Sequence, residues 1–188
     1  MSAAREVEPG LFVRGFEPPL ELSEFKLVAF DMDSTLINIE CIDEIAEVVG
    51  RKAEVAAITE AAMRGEISDY KDSLRRRLAL LRGVPVAALQ EVYDRRLKIN
   101  DGVPAFVQAC QAAGLKTLLV SGGFTFFSER VRSELKLDFA RANLLEVVDG
   151  ALTGLLLERP WGEIVDGNEK RRVLLEVCEL MGVPPSQA

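Results

Sequence analysis

Residues 26–35 of the chain read KLVAFDMDST. The apolar run Lys26–Phe30 predicts a short strand buried in a parallel sheet, because such strands are apolar on both faces. The carboxylates of Asp31 and Asp33 follow where this strand ends and the chain enters a loop. Placing two carboxylates so close together at a strand end costs free energy unless they have a ligand or a chemical role. Binding a metal cation or handling a phosphate group is such a role. The alternative is a turn or a helix-capping pair, which the whole string DMDST after an apolar strand disfavours.

A second buried strand is predicted at Lys116–Val120, and the small residues Ser121-Gly122-Gly123 follow it. Between the two strands, the block 39–97 has helical patterning that is interrupted at glycines. Alternating strands and helices around an all-helical block predict the α/β class, with a Rossmann-like parallel-sheet core and a small helical cap inserted after the first strand. We assign an irregular lead-in to 1–24, the core to 25–38 and 98–188, and the cap to 39–97.

The remaining helices and a β-hairpin follow from local patterns. Helices are predicted at 103–113, 124–135 and 168–181. A β-hairpin is predicted between the strands 142–148 and 151–157. Asn168 is expected to cap the last of these helices. Ligands of parallel α/β sheets bind beyond the carboxyl ends of the strands, so we expect Asp31 and Ser121 to share one site.

Composition narrows the classes of function. The chain has 188 residues, no histidine and a formal net charge of −7. The lack of histidine excludes Ser-His or Cys-His catalysis and histidine-ligated zinc, so acid–base chemistry must use carboxylates, lysine, tyrosine or cysteine. The acidic charge disfavours a nucleic-acid partner, and no apolar stretch reaches the roughly 18 residues of a membrane span. With no signal peptide and no CxxC pair among three cysteines, we expect a soluble cytoplasmic protein without a membrane partner.

Two further motifs point to phosphate. The run Ser121-Gly122-Gly123-Phe124 predicts a strand-to-helix turn, where backbone N–H groups and a nearby hydroxyl bind phosphate oxygens. Lys170 lies at the start of the last helix, within DGNEK at 166–170. Taken alone, these features are typical of an ordinary turn and of a solvated lysine. Their order along the chain, after the two aspartates, is what makes them informative.

Together these motifs resemble the haloacid dehalogenase-type phosphatase superfamily, from about residue 25 to the end of the chain. The resemblance is closest to the members that hydrolyse O-phospho-L-serine. The further residues that carry it are Glu40, Asp43, Glu44, MRGE at 63–66 and SLRRR at 73–77.

The resemblance implies the fold of that superfamily and hydrolysis through an aspartyl-phosphate, as the last step of serine biosynthesis. Asp31 would be the nucleophile, and Asp33 would protonate the leaving seryl oxygen and then activate water. Mg²⁺ would be the cofactor, bound by the Asp31 carboxylate and the main-chain carbonyl of Asp33. Ser121 and the Gly122 N–H would hold the phosphate, while Lys170 would neutralise charge.

The resemblance also places the amino-acid part of the substrate against the helical cap. The residues expected to form this part of the pocket are Glu40, Met63, Tyr70 and Arg77. Glu40 would meet the ammonium group and Arg77 the carboxylate. Arg75 and Arg76 adjoin Arg77 at steps of roughly 100° around the helix, so only one of the three faces the cleft. The choice among the three arginines stays open. Whether the chain forms a homodimer also stays open.

One motif of the family is absent from the sequence. Its members carry a fourth, glycine- and aspartate-rich loop after a further strand, whereas this chain stops at Ala188. We therefore expect a truncated chain in which the edge of Lys26–Phe30 is unpaired, Mg²⁺ binding is weak and turnover is slow. Two alternatives stay open: a catalytically incomplete phosphate-binding module, and a related phosphatase or phosphotransferase with another small substrate.

Overall fold

A computed structural model describes residues 4–14, 19, 21–157 and 164–188. Its strands are β1 (Arg5–Glu8), β2 (Leu11–Val13), β3 (Leu27–Phe30), β4 (Lys116–Phe124), β5 (Phe139–Asn143), β6 (Leu145–Val148) and β7 (Ala151–Leu156). Its α-helices are α1 (Cys41–Val48), α2 (Lys52–Met63), α3 (Tyr70–Ala79), α4 (Val86–Arg95), α5 (Val103–Ala112), α6 (Thr125–Leu135) and α7 (Gly167–Met181). None of the helices in these ranges combines the length and the apolar composition that crossing a bilayer requires.

A parallel sheet in the order β3-β4-β5 forms the core. Its central strand β4 is buried on both faces, because successive side chains of a strand point to opposite sides. Leu118 and Val120 pack with Val173 and Val177 of α7, while Leu119 belongs to the larger apolar cluster on the other side. This two-sided burial accounts for the continuous apolar run that the sequence shows at this strand.

Helices α1 to α4 form the all-helical block expected after the first core strand. Each contributes buried side chains to the same cluster as Leu119, for example Ile45, Val55, Leu78 and Leu89. The block therefore packs on the sheet as well as within itself. The α/β class and the helical insertion are confirmed.

The two connections between the block and the core run side by side. An isolated antiparallel bridge joins Ile37 and Ile99, and the Asn38 N–H donates to the Lys98 carbonyl at 3.1 Å. The side-chain Oδ1 of Asn38 accepts in return from the Lys98 N–H at 2.7 Å. These contacts lie next to the expected domain boundaries at 38/39 and 97/98, which stay a prediction.

The predicted hairpin strand at 142–148 is wrong in its first part. Phe139–Asn143 is a third core strand, parallel to β4 with Leu118 opposite Phe139. Only Leu145–Val148 pairs with β7, around a turn at residues 149–150. The third core strand escaped prediction because it lies at a sheet edge, where its first three residues are half-buried and no apolar run marks it.

The predicted irregular lead-in at 1–24 is also partly wrong. Its segments Arg5–Glu8 and Leu11–Val13 pair antiparallel around a turn at Pro9-Gly10, where Gly10 has a φ of 79°. The Gly10 N–H donates to Glu6 Oε1 at 2.9 Å. The Pro-Gly signal therefore marks a hairpin turn. Residues 1–3, 15–18 and 20 of the lead-in lie outside the described ranges.

The last helix begins with a different cap from the one expected. Asp166, and not Asn168, is the N-cap residue, and its Oδ1 accepts from the Glu169 N–H at 2.8 Å. An acceptor three residues before the donor is the usual N-cap geometry. The helix ends at Met181, as predicted. The earlier start places Lys170 at the end of the first helical turn.

Candidate active site

A cavity of about 280 Å³ lies where the carboxyl ends of β3 and β4 face the helical block. The expected site residues that line it are Asp31, Asp33, Glu40, Tyr70, Arg77, Ser121, Gly122 and Lys170. Met63 does not line it, because this residue ends α2 with 83% of its surface exposed. The fold thus brings two strand ends, the start of α7 and one face of the helical block into a single site.

Asp31 is held from two sides. It directly follows β3 and caps the turn Met32–Leu36, where its Oδ1 accepts a hydrogen bond from the Met32 N–H at 2.8 Å. Its Oδ2 contacts the ammonium group of Lys170, which is 139 positions away in the sequence. One carboxylate oxygen is therefore anchored by the backbone, and a cation lies beside the other.

Asp33 has a different environment, although it is only two residues away. Its Oδ1 is buried and has no hydrogen-bond partner among the described residues. Burial raises the pKa of Asp33 from 3.8 to about 7, interactions with the thiol and backbone N–H of Cys41 oppose the shift, and the charges of Glu40 and Asp31 add to it. The site therefore contains two carboxyl groups in contrasting surroundings, one beside a cation and one buried.

Ser121–Gly123 were predicted as a turn, but they lie in the last part of β4, where the pairing with β5 is interrupted, and we call this segment the glycine bulge. Other groups lie close against its two glycines. A Cβ at Gly123 would lie 2.8 Å from Asp33 Oδ2, and a Cβ at Gly122 would lie 2.2 Å from the Tyr70 hydroxyl oxygen. Ser121 is fully buried, and its Oγ accepts from the Gly123 N–H at 2.9 Å. The small residues thus let a hydroxyl and backbone N–H groups lie close to the Asp33 carboxyl group, in the cavity that Asp31 also lines.

The first turn of α7 completes the core side of the site. The Lys170 N–H donates to the Asp166 carbonyl at 2.8 Å, so the lysine side chain leaves the helix one turn after its cap. The neighbouring Glu169 is buried and forms ion pairs with Arg141 at 3.4 Å and with Arg172 at 2.7 Å. These pairs fix the turn that carries the lysine.

The helical block contributes groups of both charges. Glu40 lies just before α1, and its Oε1 accepts from Ser34 Oγ at 2.6 Å. Arg77 of α3 lines the cavity, whereas the two arginines before it do not. Arg76 instead pairs with Asp72 at 2.8 Å. The geometry therefore favours Arg77 among the three arginines.

The oxygen donors suit a cation that also takes ligands from phosphate and water. Within the described ranges, no group of three acidic or cysteine side chains comes together as a metal site. The Asp31 carboxylate faces the cavity, and the main chain of Asp33 follows two residues later. Mg²⁺ commonly takes one or two carboxylates from a protein and completes its shell with phosphate oxygens and water. The residues present fit that kind of site.

Sequence reasoning missed three residues that support this site. Cys41 interacts with Asp33, Asp166 caps the helix that carries the lysine, and Asn143 lies buried at the end of β5. An asparagine that ends a strand in the same sheet as a Ser-Gly-Gly turn would have been the signal for the third. The interpretation of 142–148 as one hairpin strand concealed it.

Comparisons with known proteins agree with this geometry. The sequence pattern of the haloacid dehalogenase-like hydrolases matches residues 28–186. A phosphoserine phosphatase of Polaromonas sp. (strain JS666) is 64% identical over 183 residues, which are 97% of this chain and 78% of that protein.

Solved structures show the same architecture. A phospho-aspartyl intermediate analogue of phosphoserine phosphatase superposes with a TM-score of 0.76 at 36% identity, covering 85% of this chain and 74% of that one. A substrate-bound phosphoserine phosphatase complex superposes with a TM-score of 0.76 at 35% identity, covering 85% of this chain and 73% of that one.

Proposed function

The chain belongs to the haloacid dehalogenase-like hydrolase family, and we propose that it hydrolyses O-phospho-L-serine to L-serine and phosphate. One observation carries the proposal: a single cavity holds the Asp31–Lys170 pair and Ser121 on the core side, with Glu40 and Arg77 on the side of the helical block. The core side suits a phosphate group, and the other side suits the ammonium and carboxylate groups of an amino acid. Because the product is L-serine, we infer that the reaction serves as the last step of serine biosynthesis.

The first half-reaction transfers the phosphoryl group to Asp31. A carboxylate oxygen of Asp31 attacks phosphorus, the bond between phosphorus and the seryl oxygen breaks, and an aspartyl-phosphate forms. The leaving seryl oxygen takes a proton from Asp33. With a pKa of about 7, the Asp33 carboxyl is protonated in about half of the molecules at neutral pH, where an ordinary aspartic acid has lost its proton.

The second half-reaction restores the enzyme. Asp33, now ionised, takes a proton from a water molecule while the water oxygen attacks phosphorus. The bond between phosphorus and the Asp31 oxygen breaks, and inorganic phosphate leaves. Both carboxyl groups then have the protonation states with which they began.

The residues around the phosphate act through charge and hydrogen bonds. Lys170 balances the negative charge of Asp31 and of the transferring group. The Ser121 hydroxyl and the Gly122 N–H would donate to phosphate oxygens at the end of β4. Because these donors are fixed by the fold, they need no reorganisation when charge moves in the transition state.

Phosphatases of this family use a divalent metal ion, and we infer that it is Mg²⁺. The Asp31 carboxylate and the main-chain carbonyl of Asp33 would hold it. When bound, the ion neutralises charge so that a carboxylate and a phosphate dianion can approach each other.

Mg²⁺ and inorganic phosphate should tighten each other's binding by about 5- to 150-fold, because phosphate oxygens complete a shell to which the protein gives few donors. Calorimetric titration of Mg²⁺ with and without phosphate measures this factor. The reverse titration must give the same factor, since the coupling is reciprocal. Independent binding of the two would contradict a shared site at Asp31.

Arg77→Ala should raise the KM for L-phosphoserine by about 10- to 100-fold, the effect of losing a hydrogen bond to a charged group. The KM for p-nitrophenyl phosphate should change less than about twofold, because this ester has no carboxylate. Arg76→Ala is the matched control, since this neighbouring arginine pairs with Asp72 outside the cavity. Equal effects of Arg77→Ala on both esters would remove Arg77 from the substrate role.

The proposed function is tested by phosphate release in the presence of Mg²⁺ from a panel of esters. L-phosphoserine should have the highest kcat/KM, ahead of phosphothreonine, phosphoethanolamine and p-nitrophenyl phosphate. A different preferred ester would identify a related phosphatase with another substrate. Phosphate binding without release from any ester would identify a binding module.

A further inference from the structure

Asn143 connects two parts of the site without lining the cavity. It is the last residue of β5 and is 4% exposed. Its Nδ2 donates to the Gly122 carbonyl at 2.8 Å, and its Oδ1 accepts from the Val165 N–H at 3.0 Å. The donor and the acceptor of one buried side-chain amide therefore form hydrogen bonds to the backbones of two different segments.

The bond to Gly122 replaces a hydrogen bond that the sheet itself does not make. β4 and β5 pair regularly up to Val120 opposite Arg141, and the next pair is Phe124 opposite Asn143. Four steps along β4 thus correspond to two along β5, so the backbone around Gly122 bulges out of the ladder. A buried carbonyl without a partner is costly, and the side-chain amide supplies that partner.

The same bond fixes the direction in which the peptide groups of the glycine bulge point. The carbonyl of Gly122 and the N–H of Gly123 belong to one planar trans peptide, so they point in opposite directions. With the carbonyl held by Asn143, the N–H points to Ser121 Oγ. A flipped peptide would instead turn a carbonyl oxygen toward the phosphate side of the cavity, where the site needs donors.

The second bond fixes the start of the lysine-bearing helix. Val165 is fully buried and directly precedes Asp166, the cap of α7. The Val165 carbonyl oxygen would lie 3.2 Å from a Cβ on Gly122, so the two segments are packed against each other. Lys170 follows one turn later and contacts Asp31. The position of Val165 therefore sets the position of the ammonium group.

We propose that Asn143 is a positioning residue for the phosphoryl transfer proposed above, on which this inference rests. It holds the glycine bulge, Ser121–Gly123 of β4, against the start of α7, so that the bulge and Lys170 act on the same phosphate group. It acts through Gly122 and Val165 and does not touch the substrate.

The test replaces Asn143 by leucine, which has a similar shape but neither donor nor acceptor. We expect kcat/KM for L-phosphoserine to fall by about 10- to 100-fold, mainly through kcat, as misplacement of catalytic groups does. The dissociation constant of inorganic phosphate should rise by about tenfold, the effect of misplacing donors to a charged ligand. Inhibition by L-serine should change less than about twofold, because Glu40 and Arg77 form that side of the cavity.

Gln111→Met is the matched control. The Gln111 amide also donates to backbone carbonyls, those of Leu135 at 3.4 Å and Lys136 at 3.0 Å, where α5 and α6 end. This variant should lose stability but keep both phosphate binding and kcat/KM. An unchanged phosphate dissociation constant in Asn143→Leu, or equal losses of phosphate and L-serine binding, would overturn the positioning role.

A measurement on the unaltered protein keeps the inference testable if Asn143→Leu does not fold. The Val165 N–H should exchange with solvent at least about 100-fold more slowly than an unprotected amide, and fast exchange would overturn the clamp. Phosphate binding also separates the two proposals. If the unaltered chain binds phosphate but releases none from L-phosphoserine, the proposed function fails, while the phosphate dissociation constants still decide the role of Asn143.

Discussion

Asp31→Asn should lower phosphate release from L-phosphoserine by about four orders of magnitude or more. The amide lacks the nucleophilic carboxylate oxygen, and it no longer balances the Lys170 ammonium group. The local fold should persist, because an asparagine oxygen can still accept from the Met32 N–H. Steady-state phosphate release measures the loss. Mass spectrometry of acid-quenched protein should show a covalent phosphate adduct in the unaltered chain and none in the variant.

Asp138→Asn is the matched control for this experiment. The Asp138 carboxylate also pairs with a lysine, Lys116 at 2.6 Å, and also accepts a backbone hydrogen bond, from the Thr117 N–H at 2.9 Å. It lies beside the first residues of β4, whereas Ser121 lies near the end of that strand. This change should cost about 1 kcal/mol of stability and leave kcat within about twofold. Release that persists in Asp31→Asn would place the nucleophile on another residue.

The core side of the site could be predicted because it depends on strand ends. Asp31 and Ser121 each follow an apolar run, and parallel strands bring their carboxyl ends to one edge of the sheet. Knowledge of two strands is therefore enough to predict that these two residues meet. The place of Lys170 in the site could not be predicted in this way, since nothing in the local sequence distinguishes it from a solvated lysine. It was expected only from the family resemblance. The family itself is confirmed.

The side of the site formed by the helical block was harder to predict, because it depends on which face each helix presents to the cavity. Arg77 and Tyr70 both line the cavity from α3, while Met63 at the end of α2 is exposed and does not line it. Helical periodicity shows that only one of three consecutive arginines can face a cleft, but it does not show which. Packing of the whole block on the sheet determines that choice.

Two properties of the core could not be predicted at all, since they arise from burial between distant segments. The pKa of Asp33 depends mainly on burial, which brings together residues from the ends of β3 and β4 and from the start of α1. The role of Asn143 depends on a bulge in β4 and on the placement of Val165. Neither is visible in a short window of sequence. The pKa of Asp33 requires the packing of α1 and the end of β4 around it, and the role of Asn143 requires the register of β5, a strand that was itself misassigned.

Asp33→Asn should lower kcat for L-phosphoserine by about 10²- to 10⁴-fold, since an amide neither protonates the seryl oxygen nor deprotonates water. The loss should be smaller for p-nitrophenyl phosphate, whose leaving group needs no proton. In the unaltered protein, kcat/KM should decline as the pH rises through about 7, because the free enzyme then loses the proton that the first step uses. A pH–rate profile of the variant should lack that decline. The same decline in both proteins would assign it to another group.

The same substitution should stabilise the fold at alkaline pH, in contrast to its effect on rate. The pKa of Asp33 is about 7 in the folded state, above its ordinary 3.8, so the folded protein binds this proton more tightly than the unfolded chain does. Its contribution to stability is therefore present below about pH 4 and is lost as the pH rises to about 7, by at most about 4 kcal/mol. Denaturant unfolding should show Asp33→Asn to be more stable than the unaltered protein at about pH 8, with little difference at about pH 4. Equal stability at pH 8 would mean that the charged carboxylate is not penalised by burial. A variant that gains stability while it loses rate would show that this carboxyl group is kept for its chemistry at the expense of the fold.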